Sequence, residues 1–333
     1  MRWGLIGAST IAEQHMIGAI RATGGEVAAV VSTTKARARD FAARHGIPTH
    51  GATLALILDD PSIRAVYISS TNEKHHAQAL SAIAAGKHVL CEKPLAMTLD
   101  EATEMVAAAE AAGVIFATNH HLRCSGSHRA VRDLIAQGRI GRVLSLRLFH
   151  AVHLPGNLQG WRINDAGAGG GVIPDITVHD ADVARFLLGE DPVAVVAQMT
   201  ASGMGQGVED SVMSVWSMPS GAMVFGHESF THPFAGSGLE VHGTHGSIFA
   251  RGVMTQQPKG EIELVTATGR EAVSFPTHNL YAQGVQDFLS AVAGQGAPAA
   301  TGRDGIASLA VALAVREAAR TGIRQTVDYR RTA

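Results

Sequence analysis

Cysteine is almost absent from this chain. Cys91 and Cys124 are the only two among 333 residues, too few for a disulfide framework and not at metal-ligand spacing. Charge of one sign never accumulates: 27 Lys and Arg stand against 29 Asp and Glu, a formal net charge of −2. That excludes a basic nucleic-acid footprint and a polybasic membrane patch. No apolar run approaches the ~20 residues needed to span a bilayer. The opening Met1 to Gly7 has no signal-peptide layout, so a cytoplasmic location is expected. Internal repeats and low-complexity segments are missing too. What is left is an ordinary globular composition, 46% apolar and 17% charged. A chain of this length exceeds what one hydrophobic core usually serves, so two domains are expected.

The densest chemical signal is Gly86-Lys87-His88-Val89-Leu90-Cys91-Glu92-Lys93-Pro94. Val89 to Cys91 reads as a buried strand, and Pro94 keeps it from continuing. In an open α/β sheet, ligands bind outside the carboxyl ends of the strands. Lys93 is delivered to such an end with Glu92 beside it. The bland alternative, a solvated lysine with a glutamate neighbour, is common for an isolated ion pair.

Around it the first domain takes shape. Trp3 to Ile6 reads as a strand, Gly7-Ala8-Ser9-Thr10-Ile11-Ala12 as a glycine turn, and the helix then runs to about Ala22. Glu26 to Ser32 is the second strand. This is a βαβ unit with a dinucleotide fingerprint, imperfect because Ser9 replaces the second glycine. A side chain there limits how closely backbone can approach a pyrophosphate, although its hydroxyl can donate to one. After the second strand the usual acid for a ribose 2′-hydroxyl is absent. Ser32, Thr33 and Thr34 are followed by Lys35 and Arg37, which suits a 2′-phosphate and hence NADP(H). The bland reading makes these cations the exposed face of the next helix.

Further strands are expected at 65–70, Val89 to Cys91 and Val114 to Thr118, alternating with helices to Ala85 and over Leu99 to Ala112. Alternation of this kind argues for a parallel, doubly wound sheet of Rossmann type over residues 1–121. Ser9, Thr71, Asn72, Glu92, Lys93 and Asn119 gather at the strand ends, the expected cofactor edge. The adjacent pairs His75-His76 and His120-His121 do not share a face and have no acidic or cysteine partner at ligand spacing, so a metal is not expected.

Residues 122–333 change character. Ser127 to Gln137 reads as helical. Alternating segments follow at Val143 to Val152, Val193 to Thr200, Ser211 to Met218, Ala222 to Phe230, Leu239 to His242, Ser247 to Ala250 and Glu261 to Thr266. They predict an α+β domain built on one large, mostly antiparallel sheet, with late helices over Tyr281 to Ala293 and Asp304 to Thr321. Within it lies Gly169-Gly170-Gly171-Val172-Ile173-Pro174-Asp175-Ile176-Thr177-Val178-His179-Asp180. Pro174 suits a first helical position and Gly189 a C-terminal stop. Asp175 and His179 are four apart and share a helix face. The glycines let a backbone or a ligand come close. Each residue alone has a structural explanation: Asp175 answers the helix dipole, and His179 is a satisfied interface histidine. With Lys93 they form a set able to hold a substrate oxygen and move a proton.

Along nearly its whole length the chain resembles the Gfo/Idh/MocA sugar and polyol oxidoreductases. The resemblance rests on the N-terminal fingerprint, Thr71-Asn72…His75, Glu92-Lys93-Pro94 and Asp175-x-x-x-His179. It implies NADPH-dependent hydride transfer to the keto group of a small sugar. On matching positions it implies that Gly7, Ala8, Ser9, Thr10 and Ile11 form the pyrophosphate turn and that Ser32, Thr33 and Arg37 hold the 2′-phosphate. Ser70, Thr71, Asn72, Glu73, Lys74, His75, Glu92, Lys93 and Asn119 would line the nicotinamide side. Trp161, Arg162 and Tyr281 would reach in from the second domain. His179 would be the proton donor, assisted by Lys93 and Asp175. Two rivals stay in view: a dehydrogenase of another sugar or polyol of the inositol type, and a non-catalytic NADPH sensor. The sensor has no need of Lys93, Asp175 and His179 together. A monomer and a homo-oligomer formed through the second sheet are equally compatible with the sequence.

Overall fold

The computed structural model describes residues 1–329, and these form two compact units. One comprises Met1–His120 with Tyr281–Ile306, the other His121–Leu280 with the segment from Ala307 onward. A single division at 121/122 therefore leaves out a return of the chain: residues 281–306 belong to the first unit.

In the first unit β1 (Arg2–Ile6) leads through a π-type turn, Ala12–Met16, into α1 (Ile17–Ala22). Then come β2 (Glu26–Val31), α2 (Lys35–His45), β3 (Thr49–Gly51), α3 (Ala55–Leu58) and β4 (Ile63–Ile68). The last members are α4 (His75–Ala84), β5 (His88–Cys91), α5 (Leu99–Ala112) and β6 (Phe116–Thr118). The sheet order is β3-β2-β1-β4-β5-β6, and every neighbouring pair is parallel. This is the doubly wound order, in which the strand sequence reverses between β1 and β4 and opens a crevice at their carboxyl ends. β1 and β4 are buried almost throughout, as strands covered on both faces must be. Trp3 lies fully buried, 5.2 Å from the ring of Phe288 in the returning segment. Burying a side chain of this size contributes about 1.5–3 kcal/mol. Helix α5 starts on a capping box, Thr98 with Glu101, and stops at Gly113 in the left-handed region.

The second unit holds α6 (Gly126–Ala136), β7 (Val143–Ala151), the single turn α7 (Trp161–Asn164) and α8 (Val178–Leu188). Strands β8 (Ala194–Thr200), β9 (Ser211–Ser217), β10 (Met223–Ser229), β11 (Gly238–Gly243), β12 (Gly246–Arg251), β13 (Glu261–Thr266) and β14 (Gly269–Ala272) follow. After α9 (Leu280–Val292) and α10 (Gly302–Thr321), β15 (Gln325–Thr326) completes the sheet. The strand order is β14-β13-β12-β11-β7-β10-β9-β8-β15. Only β7 and β10 pair in parallel, so the sheet is mostly antiparallel, as expected. Alternate residues of β9 are buried, with Trp216 and Val212 inside and Met213 and Val215 outside. Among the described residues no helix is long and apolar enough to cross a membrane.

Candidate active site

The first unit presents the end of β1. Gly7 has φ +117°, and a Cβ there would stand 2.8 Å from the backbone of Ser69 and Ser70. Only glycine allows the turn to pass so close to the exit of β4. Gly7 N–H donates to Val31 O at 2.9 Å. Ser9 Oγ donates to Ser69 Oγ at 2.7 Å and accepts from Ala12 N–H at 3.2 Å. The hydroxyl at the missing glycine's position thus locks the turn to β4 and caps the helix start, and its proton is already engaged. Ala8 is buried, while Thr10 and Ile11 are half-exposed at the helix entrance.

After β2, Ser32 is half-buried and Thr33 exposed. Thr34 caps α2 by accepting from Arg37 N–H at 3.2 Å. The exposed Arg37 side chain reaches back, and Nη2 donates to Ala8 O at 3.0 Å. The guanidinium is thereby held beside the first turn, where a dinucleotide's ribose would follow its pyrophosphate.

Beyond β4 the polar residues divide into two sets. Ser70 Oγ donates to Gln78 Oε1 at 2.6 Å, and Thr71 accepts from Lys74 Nζ at 3.0 Å while donating to Glu73 at 2.7 Å. Asn72 and His75 are buried. The His75 ring sits between Pro94 O, at 2.9 Å from Nδ1, and Ser70 O, at 3.2 Å from Nε2. Burial pulls its pKa below the ordinary histidine value. With no exposed surface, His75 is a strut tying the exit of β4 to the segment after β5. Glu92 is likewise mostly buried and accepts from the Tyr67 hydroxyl and from Asn119 Nδ2 at 2.6 Å. Lys93 follows it, half-exposed at the carboxyl end of β5.

Tyr281 departs from expectation. It lies in the first unit, not the second. It is 1% exposed, with its ring stacked on His15 at 4.5 Å. Its place is in a core, because the chain comes back at α9.

In the second unit α7 carries Trp161 and Arg162. The Arg162 guanidinium lies 4.6 Å from the Trp161 ring centre. Its Nε stands 3.4 Å from both Asp175 carboxylate oxygens. The triple glycine explains how this turn is held. Gly170 N–H donates to Asp165 O at 2.9 Å and Gly171 N–H to Arg162 O at 2.8 Å. A Cβ on Gly170 would stand 2.5 Å from Trp161 O. The backbone that comes close is α7's own. Asp210 supports it from the other side. Its buried carboxylate accepts from Ser202 N–H and Oγ and from the N–H groups of Gly203, Met204 and Gly205, at 2.8–3.0 Å. The next residue, Gln206, donates its N–H to Ile163 O at 2.7 Å. These hydrogen bonds outweigh burial and hold the Asp210 pKa at about 2.

Asp175 sits in the π-type turn Ile173–Thr177, with Pro174 at its start, and His179 in the first turn of α8. His179 is mostly buried. Its ring meets His121 edge-on at 4.8 Å, and His150 lies at 6.5 Å. His150 Nδ1 is 2.8 Å from Asp180 Oδ1. Sequence reading passed over His150, Asp180 and the neighbouring Glu228. The one available signal was a charged or titratable residue at a core-facing position of an alternating strand. Among the described residues no group of three or more His, Cys, Asp or Glu is placed to hold a metal.

Two family models divide the chain. The model described as "Oxidoreductase family, NAD-binding Rossmann fold" matches residues 1–120, and "GFO/IDH/MocA C-terminal domain" matches 128–249. The chain therefore belongs to the Gfo/Idh/MocA oxidoreductases, and its first unit is an NAD-binding Rossmann domain. It is 54% identical to 1,5-anhydro-D-fructose reductase of Ensifer adhaerens, over 96% of this chain and 97% of that one. It is 30% identical to D-xylose 1-dehydrogenase (NADP(+)) 2 of Haloferax volcanii, over 98% of this chain and all of the other. Among solved structures, aldose-aldose oxidoreductase from Caulobacter crescentus in complex with glycerol superposes with a TM-score of 0.90 at 25% identity, covering 98% of this chain and 99% of that one.

Proposed function

We propose that the protein is an NADPH-dependent reductase of 1,5-anhydro-D-fructose, converting its 2-keto group to the hydroxyl of 1,5-anhydro-D-mannitol. The likeness at 54% identity to a 1,5-anhydro-D-fructose reductase over 96% of the chain carries this reading. The first unit would hold the cofactor and the second the substrate. A dinucleotide fits the residues present: Gly7, at φ +117°, permits the tight turn of the fingerprint against the backbone of Ser69 and Ser70. Preference for NADPH is supported by the missing acid after β2 and by Arg37, held against Ala8 O at 3.0 Å. A reductase drawing on NADPH belongs in the cytoplasm.

When bound, NADPH supplies the hydride that reaches the carbonyl carbon. As negative charge builds on the keto oxygen, His179 as imidazolium gives it a proton. Lys93, at the carboxyl end of β5, would supply a positive charge to stabilise the developing negative charge. Asp175 restrains Arg162, so that Trp161 and Arg162 are presented in fixed orientation to the sugar hydroxyls. General acid help of this kind is worth about 10²–10⁴ in rate.

The test is NADPH oxidation with 1,5-anhydro-D-fructose, run beside a panel of keto sugars, polyols and aldoses with either cofactor. Turnover fastest with the anhydro-keto sugar supports the reading. Turnover of a polyol or aldose in its place replaces it with a dehydrogenase, and NADPH binding without any turnover replaces it with a sensor.

A further inference from the structure

β7 and β10 run in parallel with His150 directly opposite Glu228, so both side chains leave the same face of the sheet. Asp180 of α8 meets that face, with Oδ1 at 2.8 Å from His150 Nδ1. The Glu228 carboxyl lies against Asp180 and Thr177. It folds back over Gly226, where a Cβ would stand 2.6 Å from Glu228 Oε1. Thr177, Asp180 and Glu228 are all 0% exposed. Neither carboxyl meets a lysine or arginine among the described residues.

Two dry carboxyl groups side by side cannot both ionise. Asp180 has the His150 ring to hold its charge, and Glu228 has no such partner. Burial and the charge of Asp180 push the Glu228 carboxyl well above the ordinary range. Glu228 is thus a neutral acid with an O–H to offer Asp180. His150 is the group that meets that single negative charge at hydrogen-bonding distance. From the segment before α6, Arg123 is committed to Asp182 at 2.6 and 2.8 Å, and His121 packs on His179. From α6, burial lowers the His128 pKa to about 4 and keeps it neutral. From β9, Ser214 is uncharged. Near the start of α8, Asp175 faces Arg162.

We propose that the Asp180–Glu228 pair is a single-charge anchor for the proton donor. Asp180 fixes His150 through Nδ1–H and lends its negative charge to the neighbouring imidazoles of His150 and His179, and Glu228 limits the charge to one. Both act as positioning residues. The inference rests on the reductase reading, in which His179 delivers the proton.

Three variants test it. A general acid loses effect as pH rises through its pKa, so kcat for reduction falls on the alkaline side. Asp180→Asn moves that limb about one unit lower, while KM and NADPH binding hold. An unmoved limb overturns the proposal. Glu228→Gln keeps a neutral hydrogen-bonding group and restores most of the at least tenfold kcat loss expected for Glu228→Ala. A Gln variant as impaired as the Ala variant overturns the neutral-acid role. The Glu228 pair decides alone where Asp180→Asn gives no soluble protein. Proton NMR titration of the His179 ring in the substrate-free protein separates this inference from the function. A lower midpoint in Asp180→Asn upholds the anchor even if the anhydro-keto sugar is not turned over. An unchanged midpoint removes the anchor and leaves a reductase standing.

Discussion

The two units use different parts of the chain to do their work. In the first, backbone does the holding: the Gly7 turn nests against the Ser69–Ser70 backbone, and Ser9 and Arg37 brace it through hydrogen bonds. In the second, charged side chains do the holding: Arg162 with Asp175, His150 with Asp180, and Asp210 with the N–H groups of its loop. On the proposed function, the difference follows from what each unit would recognise. A pyrophosphate has a fixed shape that peptide N–H groups and a helix start can match. A keto oxygen, the group proposed for the second unit, changes charge during reduction, so its surroundings would have to hold and move protons.

The largest expected effect falls on the second unit. His179→Ala should lower kcat by about 10²–10⁴ while NADPH affinity, followed by cofactor fluorescence, stays unchanged. If kcat holds, proton delivery lies elsewhere and the contrast between the units loses its basis. Asp210→Ala should come next, with a stability loss of about 2–4 kcal/mol in denaturant unfolding, since five loop donors lose a charged acceptor. The sign with pH is fixed. Asp210 has its pKa lowered from 3.8 to about 2 in the fold, so its stabilisation is complete above about pH 4 and is lost as pH falls toward 2. A flat difference between wild type and variant across that range would contradict it.

In the first unit Gly7→Ala should cost about 1–3 kcal/mol, because φ +117° is unfavourable for a side chain. It should weaken NADPH and NADH alike, since both share the pyrophosphate. Arg37→Ala is the smallest and the most selective. It should weaken NADPH about tenfold, in keeping with one charged hydrogen-bonding partner, and NADH far less. Equal losses for both cofactors would deny Arg37 a phosphate.

The same contrast explains what could be read from sequence. Strands buried on both faces, such as β4 with Ala65, Val66, Tyr67 and Ile68, appear as apolar runs, and the groups that matter stand just past their ends. Gly7, Lys93 and Asn119 stood out in the sequence as candidates for that reason. Asp175 and His179 were visible because a proline and a helical spacing framed them. His150 and Glu228 were not. They occupy inward positions of alternating strands, and their adjacency depends on β7 pairing with β10 across many intervening residues. Tyr281 was misplaced on similar grounds, since a linear reading assigns a late helix to the later half. The triple glycine was read as room for a backbone or a ligand, and the backbone that comes close is that of α7.

The edge strand β6 is completed only from far down the chain: Thr118 N–H donates to Ala300 O at 3.1 Å, and Ala117 bridges Thr301. The first unit is thus closed by a segment 183 residues further along the chain. A ribosome must release that whole stretch before the edge is sealed, and a gene cut after residue 121 would deliver a nucleotide-binding body with a raw flank and Trp3 stripped of Phe288.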